Sequence, residues 1–136
     1  METQSNEELV AQQLRRLVSE GTDGGFLIVS GGEFYVQFAH WNFDDESTLV
    51  FEIASNLSQP GKLSGIQESQ IRGLGFEDPT PDVLETHAGT PNFSREYQVT
   101  GTDIFVEIAN TTSTVFTDVF GLALDSPLEF ELNLNP

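Results

Sequence analysis

FLIVSGGEFYVQFAHWNFDDESTLVFEIASNL, residues 26–57, is the stretch on which the fold turns. It holds three β-rich runs separated by two turn signals, and successive side chains of a strand point to opposite faces. In the middle run Phe34, Val36 and Phe38 share one face, with His40 next in line, while Tyr35, Gln37, Ala39 and Trp41 share the other. The first is a core face. The second carries two large aromatics and an amide but no charge, which is unusual for a surface that meets only water. The run 26–30 reads as a strand buried on both faces. Gly31-Gly32 is a two-residue hairpin signal, since primed turns need positive φ. After a polar, acidic loop at 42–47, a third strand at about 48–55 sets Leu49, Phe51 and Ile53 against Val50, Glu52 and Ala54. Its charged face should match the Gln37 face, completing a three-stranded antiparallel meander.

Outward from the meander, helices and two further strands follow. Ser5 and Glu8 make a capping box for a helix over about 6–20, with Val10, Leu14, Leu17 and Val18 at helical spacing and Gly21 as its C′ residue. Ser64 and Gln67 cap a second helix, whose apolar side is Leu63, Ile66, Ile71 and Leu74. An irregular, proline-containing segment precedes a fourth strand over 93–99. Thr102 is the expected N-cap of a third helix carrying two i, i+4 rows, Ile104, Ile108, Val115 and Val119 beside Phe105, Ala109, Phe116 and Phe120. Its NTTST run, 110–114, is poor helix-forming sequence, so packing must hold it. Leu128, Phe130, Leu132 and Leu134 alternate with Glu129, Glu131 and Asn133 in a fifth strand with one wet face. The order α-β-β-β-α-β-α-β predicts a two-layer α+β fold with an antiparallel sheet of about five strands and three helices.

At 136 residues the chain fits one domain, 1–136, with residues 1–5 expected to be flexible. It has no cysteine, so disulfides, thiolate nucleophiles and the common zinc sites are excluded, in keeping with a reducing compartment. Without a secretory signal pattern or a long apolar run, a cytoplasmic location is expected. The 22 acidic residues against 5 Lys and Arg give a formal net charge of -17. Such a balance argues against nucleic acid and anionic membranes as partners. It serves solubility, or it steers basic segments toward the protein.

Catalytic patterns are missing. His40 continues an apolar strand face and reads as a core or edge histidine; His87 falls in the irregular segment. Neither belongs to HExxH, and Asp44-Asp45-Glu46 lacks the alternating ligands and glycine of a calcium loop. GxSxG, Walker and GxGxxG patterns do not occur. No enzyme activity, metal or other cofactor is expected.

YVQF (35–38), EIASNLSQPGKLSGIQESQIRGLGFEDP (52–79), NFSREYQV (92–99) and TDVFGL (117–122), in that order, resemble the TY-Chap family, whose members are similar in fold to type III secretion chaperones and YbjN-like proteins. The sequence departs from the family in keeping only Phe93 of the aromatics before the fourth strand, and in its ANTTST run. The resemblance implies a type III secretion chaperone-like fold and a non-enzymatic, peptide-binding role in a homodimer, with no cofactor.

The partner is then a peptide or unfolded protein segment, and the uncharged face supplies the candidate contacts: Tyr35, Gln37 and Trp41, supported by Glu52 and Asn56. Three other readings compete. The second or third helix covers this face, or the face is the two-fold interface of a dimer that binds no client, or, least favoured, the chain is a small enzyme with no recognisable motif, which calls for a deep pocket lined by convergent titratable groups.

Overall fold

The computed structural model describes residues 5–43, 46–54, 63–79 and 92–134. In chain order it runs α1 (Asn6–Glu20), β1 (Phe26–Gly31), β2 (Phe34–Phe43), β3 (Glu46–Ala54), α2 (Gly65–Gly73), β4 (Asn92–Gln98), α3 (Asp103–Thr114), a π-helical turn (Val115–Val119) and β5 (Glu129–Asn133). The strands form one antiparallel sheet in the order β4-β3-β2-β1-β5. The α+β class and the element order are those expected. β5, whose place the sequence leaves open, returns to lie beside β1.

Both expected capping boxes form. The Glu8 amide donates to Ser5 Oγ at 3.1 Å and the Ser5 amide to Glu8 Oε1 at 3.3 Å. At α2 the Gln67 amide donates to Ser64 Oγ at 3.1 Å and the Ser64 amide to Gln67 Oε1 at 2.8 Å. Four free N–H groups at each helix start explain why these residue pairs stand there. Thr102 departs from expectation: its backbone is already helical and its side chain makes no capping bond. Gly21 is extended rather than left-handed. Glycine is required there for closeness, because a Cβ would sit 2.4 Å from the Leu17 carbonyl oxygen.

All three helices pack on one side of the sheet. Val10, Leu14 and Leu17 of α1 are buried with Leu27 and Val29 of β1, Val36 and Phe38 of β2, and Leu49, Phe51 and Ile53 of β3. Phe34 stacks on Phe120 with ring centroids 4.2 Å apart, and Phe51 meets Phe76 edge-on at 4.9 Å. α2 presses Ile71 into the same core, whereas Ile66, expected on its apolar side, is 75% exposed. The helix is only nine residues long and has a single buried position, so one stripe residue faces water. Arg95 of β4 stays on this side, donating to the Leu74 carbonyl at 2.6 Å and lying over the Tyr97 ring at 4.7 Å.

This one-sided packing corrects two readings of the sequence. β1 is not buried on both faces; its burial alternates strictly. Nor does the second or third helix cover the Tyr35 face, since both lie against the other one. The hairpin also closes one residue later than expected, with Gly31 paired to Phe34 and Gly32 taking φ 60°. The segments 55–62 and 80–91, with His87 and the Asp44-Asp45 pair, lie outside the described residues.

Candidate functional site: the open face of the sheet

Register fixes the composition of the open face. Tyr35 stands opposite Ser30, Gln37 opposite Ile28, and Ala39 opposite Phe26 on β1. On the other side Gln37 stands opposite Glu52, Ala39 opposite Val50, and Trp41 opposite Thr48 on β3. Beyond them come Ser94, Glu96 and Gln98 of β4. On the β5 side lie Glu129, Glu131 and Asn133, opposite Ser30, Ile28 and Phe26. The centre is largely apolar: Phe26, Ile28, Ala39 and Val50 are all half-buried beside the amide of Gln37, with no described helix above them. Trp41 stands at one end of this strip, 40% exposed, and half-buried Tyr35 at the other.

Carboxylates border the strip. Glu46 and Glu52 on β3, Glu96 on β4, and Glu129 and Glu131 on β5 all share the parity of this face. Glu52 is half-buried and accepts a hydrogen bond from Asn92 Nδ2 at 3.2 Å. The five strands carry one cationic side chain, Arg95, and it belongs to the helix side. An apolar floor between acidic borders offers dispersion contact and a one-signed field. Among the described residues of this face no nucleophile stands paired with a base.

Four of the five expected contact residues are thus brought together on one surface: Tyr35, Gln37, Trp41 and Glu52. Asn56 lies outside the described residues. Sequence reasoning missed Phe26 and Ile28, because a short unbroken apolar run looks alike whether one or both faces are buried. It also missed Glu129 and Glu131 as neighbours of the site. The alternation of β5 was legible, but its pairing with β1 is a tertiary fact.

The described histidine lies on the opposite face. His40 is 2% exposed, and its Nε2 lies 2.7 Å from Ser47 Oγ, while Nδ1 has no hydrogen-bond partner among the described residues. Burial pushes its pKa below the ordinary 6.5, partly opposed by the Asp23 carboxylate. No group of three or more His, Asp or Glu among the described residues could hold a metal ion. A cavity of ≈ 10 Å³ between α1, α3 and the 122–128 loop is about the size of one water and contains a single carboxylate, Glu7. None of the described helices is long and apolar enough to cross a membrane.

A family model described as T3SS (YopN, CesT) and YbjN peptide-binding chaperone 3 matches residues 8–133. No curated protein and no solved structure matches the chain.

Proposed function

The chain belongs to the TY-Chap3 family, and on that premise we propose that it is a non-enzymatic, chaperone-like protein that holds a peptide or unfolded protein segment on the open face of its sheet. One observation carries the reading: an apolar strip running through Phe26, Ile28, Ala39 and Val50 that no described element covers, with Trp41 40% exposed at its end. Tryptophan and tyrosine are favoured at interfaces because each joins a large apolar area to a polar tip. The absence of cysteine supports a cytoplasmic, reducing setting.

The protein acts as a homodimer in this proposal, as the family resemblance implies. The open face is a poor choice for the two-fold contact, because a self-complementary interface would bring the carboxylates of two copies together. Dimerisation therefore uses another surface and leaves the strip free. The test is suppression of aggregation of a chemically unfolded model protein, measured for the native chain and for Trp41→Ala, with molar mass in solution determined for both. Trp41→Ala should keep its mass and its circular dichroism while losing most of the suppression. Loss of the dimer with substitution would make the strip an interface instead, and unchanged suppression would remove the face from the function.

A further inference from the structure

We infer that the occupant of the open face is an amphipathic α-helix of the partner polypeptide, apolar along one stripe and cationic on both flanks. The inference rests on the peptide-binding reading above and adds the shape and charge of what binds. Shape follows from what a sheet face offers. Its backbone groups are committed to neighbouring strands, so a segment lying on it finds side chains but no amide partners. An extended segment would leave its own N–H and C=O groups unsatisfied over an apolar floor. A helix satisfies them internally, which is why helices cover sheet faces, as they already do on the other side of this sheet.

Width agrees with this. Adjacent strands lie about 4.8 Å apart, so Glu52 on β3 and Glu131 on β5 are separated across the sheet by roughly 14 Å, and Glu96 on β4 and Glu131 by roughly 19 Å. A helix with its side chains is about 10–12 Å across and fits between these borders. Flanking lysine or arginine side chains, apolar in the stem and charged at the tip, can then reach outward to the carboxylates on either side.

Charge selects the source. Five carboxylates and no strand cation face the site, so an anionic or neutral helix would lose solvation there without compensation. A second copy is disfavoured for the same reason. The chain itself does not supply the flanks: of its five Lys and Arg, Arg15, Arg16, Arg72 and Arg95 belong to the helix side, leaving Lys62 alone.

Because Trp41 is the only tryptophan, its emission reports directly on the strip. The probes are three peptides of about 18 residues, roughly 27 Å of helix: a leucine stripe flanked by lysine, the same stripe flanked by glutamate, and the lysine peptide broken by two central prolines. The lysine-flanked helix should shift Trp41 emission to the blue. Its affinity should fall roughly tenfold or more between about 0.05 and 0.5 M salt. The Glu129→Lys, Glu131→Lys double variant, altered only at exposed positions, should lose a similar factor and gain binding of the glutamate-flanked peptide. Equal binding of the glutamate-flanked or proline-broken peptide to the native chain would overturn the charge or the helix while leaving peptide binding intact. If no peptide moves the Trp41 emission, this inference falls, and the aggregation test decides separately whether the broader reading falls with it.

Discussion

Burial holds the His40 imidazole neutral, and the consequence is a pH dependence with a definite sign. Well above 6.5 the ring is unprotonated in the folded and unfolded chains alike and contributes no slope. As pH falls below 6.5 the unfolded chain takes up a proton that the folded one, its pKa lowered by desolvation, still refuses. Stability should therefore decline as pH drops from 6.5 toward the folded value, and His40→Asn should lose that part of the slope in denaturant titrations at pH 7 and pH 5. Tyr97 offers a second test at this scale. Its hydroxyl is buried without a hydrogen-bond partner among the described residues, and burial pushes its pKa up. Thr111 and Arg95 both lie close enough to act on it, and the Thr111 hydroxyl, which donates to the Glu107 carbonyl at 3.2 Å, keeps its lone pairs. Removing an unpaired buried hydroxyl relieves a desolvation penalty, so Tyr97→Phe should leave stability unchanged or raise it by up to about 1 kcal/mol. A clear loss of stability in urea unfolding would mean that the hydroxyl is bonded in solution.

Gln67 ties two elements together. It closes the capping box of α2, and its Nε2 donates to the Val119 carbonyl at 2.8 Å, where the π-helical turn ends. Ser64→Ala should cost about 1 kcal/mol, the usual value of a lost cap, and Gln67→Ala about 1–2 kcal/mol because a second bond goes with it; thermal unfolding of the two variants compares them. Element by element, the sequence was most informative where local chemistry decides the outcome. The Ser5 and Ser64 caps and the alternation of β2 and β3 all have a local cause. Thr102 misled because a good capping residue is only useful if its backbone is extended. The π-helical turn had no local signature. Thr111, Thr112, Thr114 and Thr117 return their hydroxyls to carbonyls four residues back, and Phe116 and Phe120 are buried with their rings edge-on at 5.5 Å. At the candidate site Tyr35, Gln37, Trp41 and Glu52 were legible from alternation. Phe26, Glu129 and Glu131 required knowing which strands become neighbours.

At the scale of the whole molecule the formal charge of -17 works against compactness. Screening should relieve this, so the melting temperature should rise by several degrees between about 0.01 and 0.3 M sodium chloride, as followed by circular dichroism. A flat or falling response would show that the carboxylates are locally compensated. The two ends of the sheet are unequal as well. At β4 the outer edge is occupied at its centre, where Glu77 and Ser94 exchange backbone hydrogen bonds of 2.7 and 3.2 Å. At β5 no described strand pairs with the outer edge. Among the described residues β5 is thus the more open edge. Two copies joined through β5 would use up the more open edge of both, so such an association closes at a pair along that edge.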